Sequence, residues 1–138
     1  MRILGVDYGE ARTGVAVSDE LNLTAQGVKT VFGRNSEKVA AEVSRIAKQY
    51  DVKLVVVGLP KNMDNTIGFR GEATMEFVGK LKPLIDCPIE LWDERLTTVS
   101  AIRVLNETNT RGNKRKNVVD TVAACIILQN YIDFKGGN

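Results

Sequence analysis

RILGVD at residues 2–7, TGVAVS at 13–18 and QGVKTVF at 26–32 decide how this chain folds. Each is a short apolar run. The glycine-containing turn YGEAR separates the first two, and the polar stretch DELNLT separates the second from the third. Runs of this length bounded by turn residues read as strands, and the close spacing of the first pair reads as a hairpin. The opening 33 residues therefore carry no helix, and the period changes only after them. Val39, Val43, Ile46, Ala47 and Tyr50 fall on one stripe of a helix expected over 36–50, with Ser36 as its N-cap. VKLVVVG at 52–58 is almost uninterrupted, which suits a strand covered by helices on both faces.

The loop LPKNMDNTIG leads to a helix expected over 70–85, with Phe77, Leu81 and Leu84 at helical spacing and Pro83 and Pro88 helping to end it. PIELWD at 88–93 reads as a further strand, and Thr97 or Thr98 caps a helix running to about residue 107. A polar, basic loop follows. The last helix, expected over 117–132 (NVVDTVAACIILQNYI), is apolar almost all round and so belongs against the sheet. This order predicts an α/β fold of ribonuclease H-like arrangement. Its five-stranded mixed sheet joins an antiparallel meander to parallel strands, with helices on both faces. A flavodoxin-like fold alternates strand and helix strictly and does not account for the helix-free start.

A chain of 138 residues, 43% hydrophobic and 26% charged, has the balance of one globular domain spanning 1–138, without repeats or linkers. The apolar run LVVVGL is too short to cross a bilayer, and the N-terminus begins a strand, so a cytoplasmic protein without a membrane partner is expected. Cys87 and Cys125 have no paired spacing and read as packing residues. The net charge of +2 says little, but four cations fall within RGNKRK at 111–116. The histidine count is zero, which removes histidine-based nucleophile pairs and histidine zinc sites. Carboxylate, lysine, hydroxyl and metal chemistry remain.

Asp7 ends the first strand, Asp93 and Glu94 end the 88–93 strand, and Asp120 is the one acid in the opening turns of an apolar helix. Singly, Asp7 also reads as a turn former beside a glycine and Asp120 as a residue favoured by the helix dipole. Together they imply more, because parallel crossovers bring strand ends to one edge. Two unit charges about 4 Å apart repel by about 4 kcal/mol at an effective dielectric near 20, so clustered acids call for a cation. Oxygen ligands select Mg²⁺ or Mn²⁺, and a two-metal site activates water for in-line phosphodiester hydrolysis. A basic rim of Arg12, Lys61, Asn62, Arg70, Arg95, Thr97, Thr98, Lys114, Arg115 and Lys116 would contact a phosphate backbone. Phe69 and Trp92 have rings able to stack on bases, although Trp92 sits in a strand and reads as core.

GVDYGEARTGVAVSD at 5–19, VVGLPKNMDNTIGFR at 56–70, WDERLTTVSA at 92–101 and KNVVDTVAACIILQNYID at 116–133 resemble the motifs of the YqgF family, in order and across the whole chain. That family comprises ribonuclease H-like proteins described as nucleases of pre-16S ribosomal RNA and as Holliday-junction resolvases. The resemblance implies metal-binding, catalytic roles for Asp7, for Glu94 by preference over Asp93, and for Asp120. It implies a nucleic-acid partner, structured pre-16S rRNA or branched DNA, for a monomer or weak homodimer. Glu10 and Gly71 depart from the family's usual residues, and neither touches an acid. A non-catalytic nucleic-acid-binding module is the rival from another class. An actin-like sugar kinase, suggested by the D-x-G at Asp7, would need two domains to enclose ATP.

Overall fold

The computed structural model of the chain describes residues 1–96 and 113–136, with the backbone alone at 113–120. Strands β1 (Arg2–Asp7), β2 (Arg12–Ser18) and β3 (Ala25–Phe32) form the meander. Helix α1 (Ser36–Gln49), strand β4 (Val52–Leu59), helix α2 (Phe69–Leu81), strand β5 (Ile89–Asp93) and helix α3 (Asn113–Gly136) follow. The strand order is β3-β2-β1-β4-β5. β1 pairs antiparallel with β2 and β2 with β3, whereas β1–β4 and β4–β5 are parallel. Among the described residues this is the five-stranded mixed sheet that the sequence predicts. The proposed helix from Thr97 or Thr98 to about 107 lies outside the described residues.

Alternation along the strands sends successive side chains to opposite faces. Leu4, Val6, Val15, Val55 and Val57 meet Val39, Val43 and Ile46 of α1 and Phe77 and Leu81 of α2. Ile3, Ala16, Val56 and Trp92 meet Ala124, Ile127, Leu128 and Tyr131 of α3 on the other face. Both faces of the sheet are thus covered, which explains why β4 is apolar at nearly every position. Burying each such aliphatic side chain contributes about 1.5–3 kcal/mol against leaving it exposed.

Three of the boundaries that differ from expectation have a clear local reason. The N-cap of α1 is Asn35 instead of Ser36, because its Oδ1 accepts from the amides of Glu37 (3.0 Å) and Lys38 (3.2 Å). Ser36 instead accepts a hydrogen bond from Lys80 Nζ at 2.6 Å. Asn35→Ala removes that cap and is expected to cost about 1 kcal/mol. A thermal melt should read this as a fall of about 3 °C. α2 ends at Leu81 and tightens into a 3₁₀ turn at Lys82–Leu84, since Pro83 has no N–H for the next α-helical bond, and Leu84 is left exposed. α3 begins at Asn113, not 117. Lys114, Arg115 and Lys116 are therefore on its first turns and not in a loop before it, and no glycine or proline lies between Asn113 and Asp120 to delay the helix.

Candidate active site

The parallel strands β1, β4 and β5 deliver their C-terminal ends to one edge, and the acids stand there. The register pairs Val6 with Val57, so Asp7 and Gly58 come next on neighbouring strands, and Leu59 pairs with Asp93. Two residues before Asp7, Gly5 lies under Leu128 and Ala124 of α3, and alternation puts Asp7 on that same face. Glu94 opens a 3₁₀ turn directly after β5. Its carboxylate folds over Gly58: a Cβ there would sit 2.9 Å from Glu94 Oε2 and 2.5 Å from Ile127 Cδ1. Asp7 is 8% and Glu94 2% exposed, burial that charged groups tolerate only with partners.

The neighbour of Asp7 anchors the strand end from the opposite face. Tyr8 stacks on Phe77 with ring centroids 4.4 Å apart. Its hydroxyl, whose pKa burial pushes up, bonds with Ser36. Position 120 belongs to the backbone of α3, one turn before Ala124 and two before Ile127 along the stripe that contacts β1 and β4. Its side chain is outside the described residues, and among the described residues no three acids or sulfur ligands form a metal-sized group.

Asp93 has a different environment from Glu94. Arg95 Nε and Nη2 lie 3.0 and 2.7 Å from Asp93 Oδ2, and that pairing holds the carboxyl of Asp93 below the usual carboxylate range. The same guanidinium reaches the loop after β4, through Asn62 O at 3.1 Å and Asn65 Oδ1 at 2.8 Å. Lys61 and Asn62 sit on that loop, and Arg70 is the second residue of α2, at the same edge. Arg12 opens β2 beyond the Asp7–Gly14 pair. Of the expected rim, Arg95 and Lys61 act on Asp93 and Arg95 also bonds Asn62 O, whereas Arg12 and Arg70 are placed only by their elements, at the starts of β2 and α2, and Thr97 and Thr98 fall outside the described residues.

Phe69 is 83% exposed at the start of α2, free of the core. Trp92 is buried, donates Nε1–H to Asn130 Oδ1 at 2.9 Å and meets Tyr131 edge-on, so it is a core residue as its strand position suggested. Sequence reasoning missed Gly58 and Gly5. A single glycine inside an apolar strand was the available signal, since it marks a close approach by another chain segment.

A mixed sheet of this order, with buried acids where its parallel strands end, is the arrangement of the ribonuclease H-like class. The chain belongs to the RuvX family, described as Holliday junction resolvase, whose model matches residues 1–134. It is 45% identical over 135 residues to a protein of Halothermothrix orenii, covering 98% of this chain and 96% of that one. It is 49% identical over 138 residues to one of Acetivibrio thermocellus, covering 99% and 98%. Both relatives carry the description "Putative pre-16S rRNA nuclease". Among solved structures, RuvC of Thermus thermophilus is similar at a TM-score of 0.61 and 12% identity, over 99% of this chain and 97% of that one. The same enzyme in complex with a Holliday junction substrate gives 0.55 and 13%, over 99% and 96%. At such identity the likeness shows the fold.

Proposed function

We propose that this chain acts as one ribonuclease H-like domain, a metal-dependent endonuclease that processes the 5′ end of pre-16S ribosomal RNA in the cytoplasm. Asp7, Glu94 and Asp120 are its metal-holding acids. The observation that carries this reading is the convergence of Asp7 and Glu94, distant in sequence and both buried, on the two sides of Gly58 at the edge where the parallel strands end. Position 120 belongs to the same helix as Ala124 and Ile127, which contact β1 and β4, and the curated relatives' description supports the substrate.

The donor set fits a hard divalent ion. It is all oxygen, it is charged, and the two described carboxylates are buried away from solvating water. A pair of Mg²⁺ or Mn²⁺ ions held there supplies charge neutralisation, polarisation of phosphoryl oxygens and activation of water. The protein's own groups do the remaining work. Arg12, Lys61, Asn62 and Arg70, with Lys114, Arg115 and Lys116 of α3, hold the phosphate backbone across the edge. The rigid strand ends keep Asp7 and Glu94 in place against the scissile phosphate, as positioning of this kind requires.

A second reading, favoured by the family's own description, is resolution of four-way DNA junctions by a weak homodimer. A side-by-side assay of labelled precursor RNA and a four-way junction, with Mg²⁺ and with Mn²⁺, separates the two. Cleavage of the precursor near the 16S 5′ end supports the first reading. Symmetric nicking of the junction with intact RNA replaces it by the second. Tight binding of either substrate without turnover in either metal leaves a binding module and defeats both.

A further inference from the structure

Asp93, Glu94 and Arg95 are consecutive, yet the structure turns them to separate tasks. Glu94 goes inward over Gly58. Arg95 turns back: its backbone N–H donates to Asp93 Oδ1 at 2.9 Å, and its Nε and Nη2 grip the same carboxylate. Nη1 donates to Asn62 O and Nη2 to Asn65 Oδ1, on a loop 30 and 33 residues earlier in the chain. A guanidinium has five N–H groups, and those at Nε, at Nη1 and twice at Nη2 are thereby turned to protein acceptors. The Asp93 carboxylate is likewise engaged by a forked partner, the strongest geometry available to an arginine–carboxylate pair.

The loop that Arg95 reaches is a compact turn. Asn62 N donates to Thr66 O at 2.9 Å and Asn65 N to Asn62 O at 3.0 Å, while Asn62 Nδ2 donates to Thr66 Oγ1 at 3.0 Å. It buries little apolar surface, Met63 being 94% exposed. A loop of that kind has low local stability unless something ties it down.

The geometry points to Arg95 as a positioning residue: with Asp93 as its anchor, it clamps the loop between β4 and α2, which carries Lys61 and Asn62, to the end of β5, directly before Glu94. This assignment rests on the nuclease reading above for its consequence, though not for its geometry. It takes Arg95 out of the phosphate-contacting rim and Asp93 out of the metal-holding set.

Hydrogen exchange on the nucleic-acid-free protein tests the clamp directly. Arg95→Gln, Asp93→Asn and Asn65→Gly should each speed exchange at the amides of Asn62 and Asn65 by about tenfold, the worth of one hydrogen bond to a charged group. Asn65→Gly is the decisive variant if the others fold poorly, because Asn65 has φ 75°, a conformation glycine accepts without strain. Binding of a labelled RNA hairpin across a salt series supplies a second readout. The slope for Arg95→Gln should equal that of wild type, whereas loss of a phosphate contact would lower it by about 0.7–0.9.

In cleavage, Arg95→Lys should lose about ten- to a hundredfold in kcat/KM, as Arg95→Gln does, because lysine keeps the charge but cannot make the fork. The double variant Asp93→Asn/Arg95→Gln should be no worse than either single one. Unchanged exchange in Arg95→Gln and Asn65→Gly overturns the clamp. So does a reduced salt slope with rescue by lysine, or loss of Mn²⁺ binding on Asp93→Asn alone. An inactive wild type defeats the nuclease reading and leaves the clamp to be decided by exchange.

Discussion

Asp7→Asn is expected to abolish cleavage, by about 10³-fold or more, with the fold intact. Asparagine keeps the shape of the side chain and one acceptor oxygen but removes the charge. That charge is what a hard cation requires of Asp7, which is 8% exposed at the end of β1. Stability should move the other way. Removing one of two buried like charges relieves repulsion and desolvation, so the metal-free variant should melt no lower than wild type. Mn²⁺ at a hundredfold excess over its wild-type Kd should stabilise wild type by about 2.7 kcal/mol and the variant by no more than about 1.4 kcal/mol. Single-turnover cleavage and thermal melts with and without Mn²⁺ check both halves. Wild-type turnover by Asp7→Asn would remove Asp7 from the site.

Gly58→Ala should damage stability and activity together. The added Cβ would stand 2.5 Å from Ile127 Cδ1, 2.9 Å from Glu94 Oε2 and 3.1 Å from Glu94 Cγ. Overpacking of this kind costs about 1–3 kcal/mol. On a chain of this size that is a fall in melting temperature of roughly 3–10 °C. The flexible Glu94 side chain yields more readily than α3, and a displacement near 1 Å in a catalytic group costs about 10²-fold in rate. Gly79→Ala is the matched control. It lies in α2 with nothing within 4 Å of an added Cβ, so the substitution should stabilise by about 0.5–1 kcal/mol and leave cleavage alone. Equal behaviour of the two variants would show that Gly58 is an ordinary strand residue.

The strands were legible because their chemistry is local. β1 matches its expected bounds and β2 and β3 differ by a single residue at the start, since alternation and turn residues bracket each one. Helix ends were less legible. Asn35 and Ser36 are both good caps, and only the path of the backbone decides which side chain reaches two free amides. Leu84 kept helical spacing, but Pro83 had already ended the hydrogen-bond ladder that would have turned it inward.

The strand-end rule put Asp7 and Glu94 at strand ends from the order of the elements alone, and both are buried there. The space that admits Glu94 was not readable in the same way. It depends on Gly58 meeting Ile127 of α3, a contact between residues far apart in the chain. The basic character of Arg95 suggested a phosphate contact, and the sequence holds no sign that Asn62 and Asn65 come close enough to claim its N–H groups.

Titration calorimetry of Mn²⁺ into wild type, Asp7→Asn, Glu94→Gln and Asp120→Asn, with and without a non-cleavable RNA, tests the convergence of the three acids most directly. The account predicts binding by wild type that each substitution weakens at least tenfold, about 1.4 kcal/mol. Absence of Mn²⁺ affinity in wild type under both conditions, or undiminished binding by Asp120→Asn, would contradict it.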